Sequence, residues 1–293
     1  MKRVTARLVL PLLLILGGCA GEQATTEPAS VRQTPSSEGH SIEYSVHGDG
    51  PLGIVLIHGW LEDRSFWRQQ IPVLAEHQTV IAIDLLGHGG SAAQRTDRSS
   101  WSIDAFAKDL IAVVEQIPNE QLVLVGHSMG GQVALAAAPR LHSRVLGVVG
   151  VDSLHNAEMV VSAEGWDPIM ALYREDFAAT CQRFVGSMFP HATEDPNLPE
   201  WVRGKMCGSN PEVAIAVAER FPLIDQRALF QAAQLPIRCI NSPLTLPTEA
   251  EINRRYADYD VRSVDGAGHF LMLERPTEFN LLLAETIEEL TGS

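Results

Sequence analysis

Basic residues are scarce in this sequence. Lys and Arg together number 22 against 36 Asp and Glu, which gives a formal net charge of −14. Because binding to nucleic-acid phosphates requires clustered Lys and Arg, this balance argues against nucleic acid as a partner. The acidic residues are spread along the chain without a long block of one sign. They therefore predict a solvated surface rather than a binding tail.

Cysteine is scarce as well, with four in the chain: Cys19, Cys181, Cys207 and Cys239. Their spacing resembles neither a zinc nor a haem site, and we predict no metal and no organic cofactor. In an oxidising compartment Cys181 and Cys207 could form a disulfide, or they could remain two free or buried thiols. Cys239 lies in the apolar run LPIRCI and is predicted to be a buried strand residue.

The apolar run near the N-terminus, LVLPLLLIL, is too short to span a bilayer as a helix. It follows the basic residues of MKRVTAR and precedes the small residues of GGCA. This three-part layout is typical of a secretory signal, which we assign to residues 1–18.

The end of that segment, LGGC, resembles the bacterial lipobox, in which the Cys becomes the lipidated first residue of the mature protein. Cys19 holds that position, and lipid chains on it would attach the protein to a membrane through buried methylenes. The alternative is a plain signal peptide with a chance Cys. The resemblance implies a lipid-anchored lipoprotein of the bacterial cell envelope, facing the periplasm. Ala20, by resemblance to enterobacterial sorting, favours the outer membrane.

A polar stretch follows the lipidation position. Residues 20–39 are rich in Thr, Ser, Glu and Pro and contain almost no large apolar side chains. Such a stretch buries too little surface to offset its ordering entropy. We therefore predict a flexible tether over residues 19–39.

From residue 40 onward, short apolar runs alternate with helical patterns. LGIVLIHG, TVIAIDLLGHGGS, QLVLVGHS and VLGVVGVD are typical of buried strands. This alternation predicts an α/β fold with a mostly parallel sheet flanked by helices, over residues 40–154 and 231–293. Residues 155–230 show no clear strand but many aromatic and Met residues. We interpret them as an inserted helical cap.

Polar residues stand where the predicted strands end. A parallel sheet binds ligands at the carboxyl ends of its strands. The polar residues there are His58, Asp84, Ser128, Asp152, Asn241 and His269.

Ser128 is the candidate nucleophile. The motif GHSMG fits G-x-S-x-G, which places the Ser on a strained turn between a strand and a helix. The alternative is a Gly-rich turn that merely ends a strand. A Ser hydroxyl needs a base to become nucleophilic. His269, in GAGHF on the loop after the last strand, is the candidate base, whereas His127 and His88 are interpreted as structural.

An anion hole requires two N–H donors aimed at the substrate oxygen. We predict one at Met129, directly after the nucleophile, and the other at Trp60 in the motif HGW. His58 is predicted to hold that loop by hydrogen bonding rather than to act as a base. Trp60 and Phe270 are predicted to contact the substrate.

The four motifs HGW (58–60), DLLGHGGS (84–91), GHSMGG (126–131) and GAGHF (266–270) together resemble an α/β-hydrolase with a helical cap. The resemblance covers residues 41–293 and is to the branch that contains esterases, lactonases, C–C bond hydrolases and cofactor-free haloperoxidases. It implies the roles given above for the nucleophile, the base and the anion hole. It also implies that Asp84 fixes its loop.

The sequence departs from that family at the acid. Most members carry the acid shortly after the strand that corresponds to PIRCI, but here the segment NSPLTLPTEA has no Asp, and Pro243 stands near the expected position. Asp152, in GVVGVDSLHN, lies after the strand that follows the nucleophile helix. We predict that Asp152 accepts from His269 and stabilises its cation. Glu249 and Asp265 are the alternatives.

The predicted function is that of a serine hydrolase cleaving a carboxylic ester, lactone or thioester of a small apolar acyl group through an acyl-enzyme. One alternative is C–C cleavage or perhydrolysis at the same site. Another is a lipid-anchored envelope binding protein without turnover, which the missing acid after PIRCI favours.

Overall fold

A computed structural model describes residues 30–36, 38–92, 101–141, 143–191 and 193–292. The signal segment over residues 1–18, the lipidation position Cys19 and the first part of the tether lie outside the described residues. Within the described ranges, no helix combines the length and the apolar character needed to cross a membrane.

The centre of the fold is an eight-stranded sheet. Its strands are β1 (Ser30–Pro35), β2 (Ser41–His47), β3 (Leu52–Ile57), β4 (Thr79–Ile83), β5 (Gln121–His127), β6 (Val145–Val151), β7 (Ile237–Asn241) and β8 (Tyr259–Ser263). Their order in the sheet is β1-β2-β4-β3-β5-β6-β7-β8. The strand β2 is antiparallel to β1 and to β4, and all other pairs are parallel. The mostly parallel sheet is thus confirmed.

Helices flank the sheet. They are α1 (Ile71–Leu74), α2 (Ile103–Val114), α3 (Met129–Ala137), α4 (Ala163–Glu175), α5 (Phe177–Ser187), α6 (Leu198–Cys207), α7 (Pro211–Ala218), α8 (Gln226–Ala233), α9 (Ala250–Asn253), α10 (Leu271–Glu274) and α11 (Pro276–Thr291). The central strands are buried along their whole length, as β3 and β4 show. This double-sided burial explains why their sequences are continuous apolar runs.

The tether prediction is wrong for residues 30–35. These residues form β1, which pairs with β2 from Ser30 opposite Val46 to Pro35 opposite Ser41. Val31 is exposed, whereas Thr34 is buried, so the strand contributes little apolar burial. Its order comes from main-chain pairing at the edge of the sheet, which a composition argument does not detect.

The segment between β6 and α8 is helical throughout its described secondary structure, with α4 to α7 forming the cap. The boundary predicted at residue 230 falls inside α8. Because α8 packs against α3, we assign α8 to the helices around the sheet rather than to the cap.

A disulfide between Cys181 and Cys207 joins α5 to α6 within the cap, with the two Cα atoms 5.6 Å apart. Of the two states that the sequence leaves open for these cysteines, a disulfide or two thiols, the structure contains the disulfide. Cys239 is a free thiol, buried in β7 as predicted.

Candidate active site

Ser128 occupies a sharp turn between β5 and α3, with φ 50° and ψ −119°. Its neighbouring glycines are required by close backbone contacts. A Cβ at Gly126 would lie 2.3 Å from the Gly130 carbonyl carbon, and a Cβ at Gly130 would lie 2.4 Å from the Ile57 oxygen. The strained turn predicted from GHSMG is therefore present, and it places Ser128 in the lining of a cavity.

His269 and Asp152 are hydrogen-bonded. The Nδ1 atom of His269 lies 2.6 Å from Oδ2 of Asp152, whose side chain is 1% exposed. The other oxygen of Asp152 accepts from the Ser242 N–H at 3.0 Å and from the Thr245 hydroxyl at 2.8 Å. Burial alone would raise the pKa of Asp152. The hydrogen bond and charge of His269 outweigh burial, so that the pKa is lowered and the carboxylate is ionised.

The alternative acids do not occupy this position. Glu249 and Asp265 are exposed, and among the described carboxylates Asp152 is the one that pairs with the His269 ring. Asp152 follows β6 and has a φ of 40°. The structure therefore pairs Asp152 with His269, and both line the same cavity as Ser128.

Both sides of His269 in the main chain are held by one carboxylate. The N–H groups of Gly268 and Phe270 donate to Glu274 at 2.9 and 3.0 Å. The N–H of His269 donates to the carbonyl of Met188, in the cap, at 3.2 Å. The orientation of the imidazole thus depends on α10 and on the cap. No local sequence pattern marks Glu274 for this role.

A second imidazole lies on the far side of Asp152. The Nε2 atom of His155 is 3.8 Å from Oδ1 of Asp152, and its Nδ1 atom is 3.0 Å from the Thr248 hydroxyl. Burial lowers the pKa of His155, so its ring is neutral at neutral pH. His155 also lines the cavity. The local sequence around His155 did not indicate that this residue would lie beside Asp152 or line the cavity.

A buried pair of Glu62 and His127 lies behind the predicted base. The Nδ1 atom of His127 is 2.9 Å from Glu62, and its Nε2 atom is 2.9 Å from the His269 carbonyl oxygen. Glu62 also accepts the N–H of Gly59 at 2.8 Å. The structural role predicted for His127 thus takes a definite form, whereas Glu62 was missed because nothing in its local sequence indicates a distant partner.

The loop of the predicted anion hole contacts the cap. Trp60 and Met129 both line the cavity beside Ser128. The indole Nε1 of Trp60 donates to the Ala214 carbonyl in α7 at 3.0 Å, and its ring meets Phe184 edge-on. The main chain at Trp60 is therefore fixed between the sheet and the cap.

His58 holds this loop, as predicted. The Leu85 N–H donates to Nε2 of His58 at 3.0 Å, so the ring proton resides on Nδ1. That proton is donated to the Gly59 carbonyl at 2.7 Å. With both nitrogens engaged in loop contacts, His58 is not placed to act as a base.

Asp84 fixes its own loop, in agreement with the role implied by DLLGHGGS. Its carboxylate accepts from the main-chain N–H groups of Arg64 and Gly90, each at 2.7 Å. The Arg64 guanidinium pairs with Asp84 and with Glu43. The remaining strand-end residue, Asn241, is buried and donates to the Ser153 carbonyl.

The cavity between the sheet and the cap has a volume of about 440 Å³. Apolar and aromatic side chains dominate its wall, with carboxamides at Gln132, Asn156 and Gln226 and carboxylates at Glu62 and Asp152. Neither Lys nor Arg occurs among the described lining residues. The apolar lining comprises Trp60, Met129, Leu154, Met159, Val161, Trp166, Phe184, Met188, Pro190, Met206, Phe221, Ile224, Leu244 and Leu246.

Phe270 does not line the cavity, contrary to its predicted substrate contact. Its ring is fully buried behind the site, where it packs against Phe66 and Phe189 and meets His127 and His269. The start of α10 turns this side chain into the core. Trp60, for which a substrate contact is also predicted, lines the cavity.

Among the described residues, one group of side chains could share a metal ion. Its members are Glu62, His127 and His269, whose potential ligand atoms all lie within 4.8 Å of one another. Both nitrogens of His127 already face hydrogen-bond acceptors. A metal would have to displace one of these contacts. The arrangement is that of hydrogen-bonded side chains rather than of an open set of ligands.

Comparison with known proteins agrees with this architecture. A family model described as the alpha/beta hydrolase fold matches residues 54–194. An esterase from Exiguobacterium antarcticum superposes with a TM-score of 0.79, at 20% identity, over 88% of this chain and 100% of that one. The protein has the α/β-hydrolase fold. The predicted fold class is confirmed.

Two plant proteins are similar in sequence to this α/β-hydrolase-fold protein. "Probable esterase D14L" of Oryza sativa subsp. japonica is 25% identical over 82% of this chain and 92% of its own length. "Karrikin insensitive 2 receptor CA" of Petunia hybrida is 24% identical over 70% of this chain and 77% of its own. The names of these relatives thus include both an esterase and a receptor.

Proposed function

We propose that the protein is a serine hydrolase that cleaves carboxylic esters of neutral, mainly apolar acids. The observation that carries the proposal is the 2.6 Å hydrogen bond between His269 and Asp152, at a cavity that Ser128 also lines. The fold match and the esterase among the solved neighbours support it. Esters, lactones and thioesters all present the acyl carbon that such a site attacks.

The reaction begins when the imidazole of His269 accepts the hydroxyl proton of Ser128 and the Ser oxygen attacks the acyl carbon. The N–H groups of Trp60 and Met129 donate to the tetrahedral oxyanion. The C–O bond to the alcohol breaks as His269 returns the proton to the leaving oxygen. Water, deprotonated by His269, then attacks the acyl-enzyme and releases the acid and free Ser128.

Asp152 has two tasks in this scheme. It accepts the Nδ1 proton of His269, which leaves Nε2 free to face Ser128, and it stabilises the imidazolium formed during attack. The loop after β7, where the resemblance to the family leads us to expect the acid, supplies two donors to Asp152 instead, from Ser242 and Thr245. In this proposal the acid lies directly after β6, and the loop after β7 holds it in place.

The cavity wall favours neutral acyl groups. Because Glu62 and Asp152 line the wall and no described lining residue is cationic, a carboxylate on the acyl chain would lose hydration without gaining a partner. We expect p-nitrophenyl butyrate to be hydrolysed with a kcat/KM on the order of 100-fold higher than p-nitrophenyl hemisuccinate. The two esters share a leaving group, so initial rates compare the acyl groups once the rate without enzyme, which the neighbouring carboxylate of the hemisuccinate accelerates, is subtracted. Equal values would contradict a neutral acyl site.

The alternative of a binding protein without turnover depended on a missing acid, and Asp152 removes that support because it pairs with His269. The receptor among the plant relatives is consistent with a related fold serving recognition. The comparison of Ser128→Ala with the wild type for turnover and for ligand retention distinguishes these functions.

Membrane attachment is proposed from the N-terminal sequence alone, in which LGGC precedes the polar stretch. In a bacterial host, we expect the mature chain to begin at a Cys19 that carries lipid and to partition with the membrane fraction. Cys19→Ala should release it into the soluble envelope fraction. Mass spectrometry of the N-terminal peptide checks this, and an unmodified Cys19 in the mature chain would refute lipid anchoring.

A further inference from the structure

Both ring nitrogens of His127 face oxygen atoms, one of a carbonyl and one of a carboxyl group that only accepts hydrogen bonds when it is ionised. Nδ1 lies 2.9 Å from the Glu62 carboxylate, and Nε2 lies 2.9 Å from the His269 carbonyl oxygen. A neutral imidazole has one N–H and could satisfy only one of these acceptors. With Glu62 ionised, the geometry fits an imidazolium that donates in both directions. His127 and Glu62 are almost completely buried, so water does not replace either contact.

The surroundings of His127 are consistent with a cation. Glu62 is its direct partner, Asp152 adds a second negative charge nearby, and the His269 ring lies 4.6 Å away between ring centroids. Burial alone would lower the pKa of His127. The charge and hydrogen bond of Glu62 and the hydrogen bond to the His269 carbonyl outweigh burial, and the pKa is raised.

Through this pair, three separate segments of the chain are joined. Glu62 accepts the N–H of Gly59, which precedes the proposed anion-hole donor Trp60. His127 directly precedes the proposed nucleophile Ser128. The His269 carbonyl that His127 binds belongs to the proposed base. One buried ion pair thus contacts the anion-hole loop, the nucleophile turn and the base loop.

We propose that Glu62 and the His127 imidazolium are positioning residues. They fix the positions of the proposed anion-hole loop, nucleophile and base relative to one another. The pair does not touch the reacting atoms in this scheme, and no proton leaves it during turnover. The catalytic part of this inference rests on the proposed function. The charge state of His127 does not, because it is inferred from the hydrogen-bond partners and the neighbouring carboxylates, without reference to catalysis.

The charge state is tested by NMR of the full-length protein carrying ¹⁵N-labelled histidine, with the His127→Gln spectrum assigning the resonance. We expect both ring nitrogens of His127 to remain protonated at neutral pH. In Glu62→Gln the counter-charge is lost while the hydrogen-bonding shape is kept, and the ring should become neutral. A neutral His127 in the wild type would overturn the inference.

The positioning role is tested by steady-state kinetics with p-nitrophenyl butyrate. We expect kcat to fall on the order of 10- to 100-fold in Glu62→Gln and in His127→Gln, with KM changed far less, because small displacements of catalytic groups are costly. The exposed residues Glu285 and His77 provide the matched controls Glu285→Gln and His77→Gln, which should match the wild type.

The double variant Glu62→Gln/His127→Gln separates positioning from general destabilisation. Glu62 and His127 act through the hydrogen bond between them, and either single substitution already breaks it. The kcat of the double variant should therefore be only slightly lower than that of either single variant. Losses in kcat that multiply would overturn the proposal. So would unchanged kcat in both single variants while circular dichroism shows them folded.

The thermal stability of these variants gives a readout that needs no substrate. A raised folded-state pKa means that the stabilisation from His127 is fully present below its unfolded value of 6.5 and is lost as pH rises through the folded value. The Tm difference between wild type and His127→Gln should therefore shrink at alkaline pH. A difference that stays constant across this range would contradict an imidazolium.

These results are separable from failure of the proposed function. If Ser128→Ala retains full ester hydrolysis while ¹⁵N shifts still report a protonated His127, the proposed function fails and the imidazolium assignment stands. If Ser128 is essential but Glu62→Gln and His127→Gln turn over at the wild-type rate, the positioning proposal fails and the hydrolase assignment stands.

Discussion

The Ser128→Ala variant is expected to fold normally and to hydrolyse esters about 10⁴- to 10⁶-fold more slowly than the wild type. The substitution removes the oxygen that forms the acyl-enzyme, whereas the glycines that permit the sharp turn stay in place. Rates with p-nitrophenyl butyrate measure the loss, and circular dichroism checks the fold.

Substrate binding should survive in Ser128→Ala because the cavity wall is otherwise unchanged. Ser153→Ala is a useful comparison, since Ser153 also lines the cavity but its hydroxyl donates to the Ser128 carbonyl rather than facing a base. We expect a far smaller loss of kcat in that variant. Turnover in Ser128→Ala within tenfold of the wild type would contradict a Ser128 nucleophile.

The Asp152→Asn variant is expected to lose about 10⁴-fold in kcat while retaining most of its substrate affinity. The amide oxygen introduced there could still accept from Ser242 and Thr245, but a neutral amide cannot stabilise the His269 cation. It would also favour the wrong imidazole tautomer. Glu249→Gln and Asp265→Asn supply the matched controls, since those exposed carboxylates are the sequence alternatives.

Both control variants should retain wild-type turnover. A large loss of turnover in either control, with near-normal turnover in Asp152→Asn, would assign the acid to that control residue instead.

The pH dependence of stability provides a second check on Asp152. Its folded pKa is lowered, so its stabilisation is present above the unfolded value of 3.8 and is lost as pH falls through the folded value.

The sequence predicts those parts of the site that a local sequence pattern identifies. The glycines around Ser128 are required by backbone contacts of the turn itself, so GHSMG identifies the turn directly. His269 follows the last strand, and Asp152 follows β6, at the edge where parallel strands place their functional groups. Order along the chain was enough to predict that Asp152 lies beside His269 and that Ser128 lines the same cavity.

The parts that sequence reasoning missed depend on distant partners. Glu62 meets His127 across 65 residues of sequence, and no local pattern signals that pairing. The strand β1 is polar in composition, and its order comes from pairing with β2. Phe270 shares a motif with His269, yet the start of α10 turns its ring into the core. The Cys181–Cys207 bridge, which the sequence left open beside two free thiols, likewise depends on how α5 and α6 pack.

Covalent labelling of Ser128 tests the central claim most directly. The full-length protein is treated with a fluorophosphonate, and the adduct is located by peptide mass spectrometry in the wild type, His269→Ala and Asp152→Asn. The account predicts a single adduct on Ser128 in the wild type, with labelling much slower in both variants because the hydroxyl loses its base. Labelling of Ser128 at an equal rate in all three, or no adduct on folded wild-type protein, would contradict an activated nucleophile at this site.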